Sequence, residues 1–311
     1  RNSNLFFTFG KPAIFVGFSV LHQKAVVRVP AIFIFIPSVK NNMIRIIQAR
    51  GAKIRVSDTG SGRTIVLLHG FLGSLETWDY FAEQLSKKFR VICIDLPGHG
   101  RSECVGYVHR MERLADVVKE VMDELGLRRY IIVGHSMGGY AALAFAEQYP
   151  DNLRGLCLFH STALADSAEK KLDRERAIRI VKRNPKLYAR QLIENLFARV
   201  NHKRNKKEIE TSRRIAARTS RQGMVASLEG MKVRPNREAI LRFAEYPVLF
   251  IAGKRDNVLP WESIREQAKL PQLTKMKALE DVGHMGFYEA TAETLRLLSR
   301  FATTCFRRKV S

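Results

Sequence analysis

Six apolar runs of strand length, most of them separated by helical patterns, constrain this chain more than any other feature. They cover residues 64–69, 89–95, 130–135, 154–160, 247–252 and 274–279. Between them, residues 77–88 set Trp78, Phe81, Ala82 and Leu85 at helical spacing. Residues 109–125 do the same with Leu114, Val117, Val118, Val121 and Met122, and residues 137–149 are rich in Ala. A strand buried on one face alternates apolar with polar residues. One buried on both faces is apolar throughout, as a parallel sheet covered by helices requires. The expected fold class is α/β, with a mostly parallel central sheet and helices on both faces. Residues 43–48 open a further strand-like pattern, and the 311 residues suffice for one large core.

The alternation stops between residues 161 and 245. This stretch is helical in pattern and holds 22 Lys and Arg against 10 Asp and Glu, within a chain whose net charge is +23. An all-helical stretch between two strands of one sheet is expected to be a cap on a core formed by residues 43–160 and 246–311. A basic run such as residues 202–207 usually marks a solvated face. The sharper reading is an electropositive approach that favours anionic substrates. Arg214, Arg218 and Arg221 are spaced to share one helical face, and Arg214 and Arg218 stand as candidates for substrate contact.

Residues 1–42 differ from the rest. They contain five basic residues, no acidic one, and seven of the 18 Phe. No apolar run approaches the roughly 20 residues of a membrane span, so no stable membrane insertion is expected. The first methionine is Met43. We expect residues 1–42 to be a non-core extension, disordered or outside the native protein. The four cysteines, Cys93, Cys104, Cys157 and Cys305, lack metal-ligand spacing. They point to a reducing, cytoplasmic setting and to no bound metal. The Lys/Arg runs lack interleaved aromatics, so nucleic acid is not an expected partner.

Gly134-His135-Ser136-Met137-Gly138 joins an apolar strand to the Ala-rich helix. In that context G-x-S-x-G is a sharp turn that projects a serine hydroxyl from the carboxyl end of the sheet. A hydroxyl is a weak nucleophile near pH 7 and needs a base, itself oriented by a carboxylate. Of the eight histidines, His284 lies between Gly283 and Gly286, between the last strand and the C-terminal helix. Asp256 follows the strand of residues 247–252 in Gly253-Lys-Arg-Asp256. Asp281, three residues before His284, is the rival acid, disfavoured because it shares the histidine's loop.

Three motifs, in order and spacing, resemble the α/β-hydrolase superfamily across residues 43–303. They are His69-Gly70-Phe71-Leu72-Gly73-Ser74, Asp95-Leu-Pro-Gly98-His-Gly100-Arg-Ser102 and Gly134-His-Ser136-Met-Gly-Gly139. The resemblance implies the order Ser136, Asp256, His284 for nucleophile, acid and base. His69, His99, His135 and His160 come too early for that order. It also implies that His69-Gly70 forms the turn beside the oxyanion hole, near the substrate, with the backbone N–H groups of Phe71 and Met137 as donors. The Asp95–Ser102 motif reads as structural. No metal or organic cofactor is called for. Dehalogenases and epoxide hydrolases of the superfamily carry Asp at the elbow, so Ser136 leaves acyl chemistry. The expected activity is hydrolysis of a carboxylic ester or thioester of a small molecule. One alternative is carbon–carbon bond hydrolysis or the pyruvate-eliminating step of menaquinone synthesis, against which Tyr140 stands where that enzyme commonly shows Arg. A catalytically silent binding protein is the other.

Overall fold

The computed structural model describes residues 43–308, so the expectation for residues 1–42 lies outside the described residues. The chain runs through β1 (Met43–Ala49), β2 (Ala52–Thr59), β3 (Thr64–Leu68), α1 (Asp79–Ser86), β4 (Arg90–Ile94), α2 (Met111–Glu124), β5 (Tyr130–His135), α3 (Met137–Gln148) and β6 (Leu153–Phe159). It continues through α4 (Ala168–Arg183), α5 (Pro185–Leu196), α6 (Lys206–Ala216), α7 (Arg221–Lys232) and α8 (Glu238–Arg242). It ends with β7 (Val248–Gly253), α9 (Trp261–Gln267), β8 (Thr274–Leu279), α10 (Gly286–Glu289) and α11 (Thr291–Arg307).

The eight strands form one sheet in the order β1-β2-β4-β3-β5-β6-β7-β8. β1 and β2 form a hairpin closed by Arg50 and Gly51, both at positive φ (48° and 77°), the twist that a two-residue hairpin turn prefers. β2 joins β4 antiparallel, and every pairing from β4 to β8 is parallel. β3, β5 and β7 are buried at every residue, which is why their sequences show no alternation. α3 is buried from Met137 to Ala146, and its alanines let it lie close to β5.

Strand order reverses around β3: the chain steps from β3 to β4 on one side and returns to β5 on the other. With right-handed crossovers that reversal puts α1 and α2 on opposite faces of the sheet and opens a crevice beyond the carboxyl ends of β3 and β5. Between β6 and β7 stand five helices, α4–α8, with no strand among the described residues there. Their ends are set by local chemistry. The side chains of Ser167, Asn184 and Ser220 accept the N–H groups of Lys170, Leu187 and Gly223, and Pro185 takes the first position of α5, where no donor is needed. The Ser220 cap starts a new helix, so Arg221 stands on α7, not on the helix that carries Arg214. The face expected for Arg214, Arg218 and Arg221 does not exist. No helix among the described residues is long and apolar enough to cross a membrane.

Candidate active site

Ser136 sits between β5 and α3 with φ 50° and ψ −115°, a sparsely populated positive-φ backbone that costs about 1–3 kcal/mol for a non-glycine residue. The flanking glycines permit it. A Cβ at Gly138 would lie 2.5 Å from the Leu68 carbonyl oxygen, and one at Gly134 would collide with the Gly138 carbonyl. The Ser136 N–H donates to Phe159 O at 3.0 Å, and its carbonyl accepts from the Ser161 hydroxyl at 2.8 Å and from Gly139 N–H at 2.9 Å. The turn is thus held by β6, by the residue Ser161 just beyond it and by α3.

After β3, the Gly73 N–H closes a turn onto Gly70 O at 3.0 Å, with Leu72 at φ 63°. A Cβ at Gly70 would stand 3.2 Å from Ser136 Cβ, so this loop passes directly beside the serine. Met137 opens α3, and first-turn amides of a helix have no intrahelical acceptor. Phe71 lies on the same loop, half-buried beside His99 with ring centroids 6.0 Å apart. His69 differs from expectation. It is fully buried, its Nδ1 donates to Gly70 O at 2.8 Å, and its Nε2 accepts from Leu96 N–H at 3.0 Å. Both ring nitrogens are occupied by backbone, so the side chain shapes the loop and offers no free ring nitrogen.

The Asp95 motif braces the same loop. Asp95 Oδ1 accepts Leu75 N–H at 2.7 Å, Oδ2 accepts Arg101 N–H at 2.9 Å, and Arg55 reaches Oδ2 at 3.4 Å. The left-handed Gly100 (φ 55°) comes so close to this carboxylate that any Cβ would overlap it.

Asp256 faces His284, with Oδ2 2.7 Å from His284 Nδ1, and both side chains are 2 % exposed. Its Oδ1 accepts the N–H groups of Val258 at 2.8 Å and Leu259 at 3.2 Å. Burial alone would raise this carboxyl. The facing His284, with hydrogen bonds from His160 and His284, holds it well below the usual carboxylate range. Asp281 instead pairs with Arg255 at 2.7 Å and is 69 % exposed.

Sequence reasoning missed three residues here. His135 Nε2 donates to the carbonyl of His284 at 2.9 Å, while His284 N–H donates to Leu196 O at 2.7 Å. The histidine's backbone is therefore fixed from β5 and from the end of α5. Glu289 is buried and accepts four donors: Gly283 N–H and Met285 N–H on Oε1, Ala198 N–H and the Asn201 amide on Oε2. It ties the His284 loop to the segment after α5. His160, set aside by its place in the chain order, approaches Asp256 Oδ2 with Nδ1 at 3.2 Å. No pattern in the sequence brings residues 160 and 256 together; only the β6–β7 pairing does. His160, Asp256 and His284 place three donor-type atoms within 4.8 Å of one another. A cation there would compete with imidazole N–H groups for the same carboxylate oxygen.

Over the Gly70–Gly73 loop lies a cavity of about 20 Å³, lined by Phe71, Leu72, Met285 and Phe287 from the core and by Ile193, Leu196, Ser212 and Ile215 from α5 and α6. Its wall is largely apolar. Arg214 and Arg218 are exposed, bonded to the Thr211 hydroxyl at 3.0 Å and to Glu76 at 3.5 Å. On α6 the residues that turn inward are Ile209, Ser212, Ile215 and Ala216. Arg214 and Arg218 are not among the residues that line this cavity.

A family model described as the alpha/beta hydrolase fold matches residues 63–291. The chain is 26% identical over 278 residues to a Bacillus subtilis protein named as a 2-succinyl-6-hydroxy-2,4-cyclohexadiene-1-carboxylate synthase, covering 84% of this chain and 98% of that one. It is 26% identical over 252 residues, 77% of its length, to the dihydrolipoyllysine-residue acetyltransferase component of the acetoin cleaving system of Pseudomonas putida, of which it spans 63%. A solved structure of a thermophilic esterase from Thermogutta terrifontis, with malate bound, aligns with a TM-score of 0.79 at 30% identity, covering 84% of this chain and 97% of that one. The reversed strand order, the positive-φ serine after β5 and the family match over residues 63–291 agree, and the chain belongs to the alpha/beta hydrolase fold family.

Proposed function

We propose that the protein is a serine hydrolase that cleaves a carboxylic ester or thioester of a small molecule through Ser136, His284 and Asp256. The observation that carries this is the Asp256–His284 contact of 2.7 Å on a loop clamped to the strand that leads into positive-φ Ser136. With His284 Nδ1–H bound to Asp256, Nε2 is free to accept a proton. Ser136 Oγ attacks the acyl carbon as its proton moves to His284 Nε2, and the carbonyl π pair moves to oxygen. The N–H groups of Phe71 and Met137 receive that oxyanion, each such donor contributing about 3–4 kcal/mol. Collapse breaks the bond to the leaving alkoxide or thiolate, which takes the proton from His284. Water then adds to the acyl-Ser136 ester with His284 as base, releasing the acid and restoring the hydroxyl.

The apolar wall formed by Ile193, Leu196 and Ile215 supports an uncharged, compact acyl group. The similarity to a thermophilic esterase at 30% identity supports ester hydrolysis. The alternative reading as a pyruvate-eliminating enzyme has the end-to-end similarity to the Bacillus protein in its favour. Against it, Tyr140 is buried and the Arg234 guanidinium stacked 4.0 Å over its ring is bound to Asp166 at 2.6 Å, not offered to a substrate carboxylate. The four free thiols, three of them buried, support a cytoplasmic setting. A panel of p-nitrophenyl esters and acyl thioesters of graded chain length tests the proposal. Turnover of short uncharged esters that is lost in Ser136→Ala supports it; a panel without turnover contradicts it.

A further inference from the structure

Asp256 carries more donors than the orientation of one imidazole requires. Oδ1 is filled by two backbone N–H groups, and Oδ2 meets two histidines, His284 at 2.7 Å and His160 at 3.2 Å. His160 follows β6 in a left-handed backbone (φ 46°), is fully buried, and lies against the Phe159 ring at 5.2 Å. Gly286 passes so close that a Cβ there would collide with His160 Nε2. The fold thus accepts a strained residue and a glycine contact in order to hold this imidazole against the carboxylate.

Resting on the reading of Ser136, His284 and Asp256 as the reacting set, we propose that His160 is a positioning residue whose Nδ1–H donates a second hydrogen bond to Asp256 Oδ2. That bond fixes the carboxylate and weakens its hold on His284. Two observations place the proton on Nδ1. An ionised carboxylate only accepts, so an unprotonated Nδ1 at 3.2 Å would set lone pair against lone pair. The other nitrogen, Nε2, is buried with no hydrogen-bond partner among the described residues, and an orphaned lone pair there is tolerated better than an orphaned N–H. The Gly253 N–H also points toward Nδ1, at 3.3 Å; of the two contacts it is the longer and involves no charge, and the one to Asp256 decides the tautomer.

The titratable groups facing this pair are His135 from β5, His284 and Glu289 from the segment after β8, and Asp256 after β7. Burial pushes His135 and His160 below the ordinary imidazole value, so both are neutral donors near pH 7. Removing the His160 donor concentrates charge on Oδ2 and strengthens the Asp256–His284 bond. His160→Asn keeps an N–H close to the Nδ1 position and tolerates the left-handed backbone.

The test compares full-length wild type, His160→Leu and His160→Asn by proton NMR, following the far-downfield His284 Nδ1–H resonance, identified by its loss in His284→Gln. The proposal expects this resonance further downfield in His160→Leu and unmoved in His160→Asn. It also expects the acidic limb of the labelling rate with a short-chain fluorophosphonate to move up by about 0.5–1 pH unit in the Leu variant only. An unmoved resonance in His160→Leu overturns it, as does an equal displacement in both variants, which would mean packing alone. If His160→Leu does not fold, His160→Gly removes the same donor without backbone strain. The resonance does not depend on turnover, so a protein whose Ser136 fails to react sinks the hydrolase reading and leaves this comparison intact.

Discussion

Asp256→Asn tests the orienting carboxylate with one atom changed, and the hydrogen bonds around it dictate the outcome. Oδ1 accepts the N–H groups of Val258 and Leu259, so the amide of an asparagine must keep its oxygen there. Its NH2 then points at His284 Nδ1 and His160 Nδ1, where the carboxylate oxygen had accepted both. Two N–H groups cannot face an NH2, so each imidazole must shift its proton to Nε2. For His284 that occupies the lone pair needed by Ser136, and loss of the base in the wrong tautomer costs about 10⁴ in turnover. For His160 it creates a buried N–H with no partner among the described residues, which costs about 1–3 kcal/mol of stability. The assay is kcat/KM on a reactive short-chain ester beside thermal denaturation of both proteins. A variant that keeps a tenth of wild-type turnover refutes the reasoning, and so does an Asp281→Asn variant that is the more damaged of the two.

Gly138→Ala puts a Cβ 2.5 Å from Leu68 O and 2.7 Å from His69 O; overpacking of this kind costs about 1–3 kcal/mol, so Tm falls, and an unchanged Tm contradicts the close packing of α3 on β3. For Glu76, burial acts to raise the carboxyl, but the Ser74 hydroxyl and Arg55 outweigh it and hold it near 2, against an ordinary value of 4.5. A depressed carboxyl stabilises the fold fully above pH 4.5 and less as pH falls toward 2; Glu76→Gln therefore flattens the fall in Tm between about pH 5 and pH 3, and an equally steep fall rules out this contribution. Charge reversal at Arg214 and Arg218, both on the exposed side of the chain, leaves kcat/KM for a neutral ester within about twofold; a selective loss for a matched anionic ester would return these arginines to the substrate's route.

The sheet was legible because both-face burial writes itself as continuous apolar runs, as in Thr64–Leu68 and Val248–Gly253. The placing of Ser136, Asp256 and His284 beyond strand ends was legible because each follows an apolar run and carries glycine nearby, and the structure brings Asp256 and His284 into contact. β2 was not singled out. Lys53, Arg55, Ser57 and Asp58 break its apolar run, although Arg55 is nearly buried through its bonds to Glu76 and Asp95. His160 and Glu289 act through contacts 96 and up to 91 residues apart in sequence, which no local pattern encodes. The face expected for Arg214, Arg218 and Arg221 failed for a related reason. Helical spacing gives the face a residue shares, not the side on which that face lies, and the Ser220 cap divides the helix that spacing alone would continue.

The central claim is that Ser136 is a nucleophile activated by His284. Incubation of the full-length protein with a short-chain fluorophosphonate, followed by peptide mass mapping, tests it most directly. One phosphonyl adduct is expected, on the peptide containing Ser136, formed rapidly at pH 7–8, absent in Ser136→Ala and slowed by about 10⁴ or more in His284→Gln. Absence of an adduct on Ser136, or labelling of that serine at an undiminished rate in His284→Gln, would contradict it.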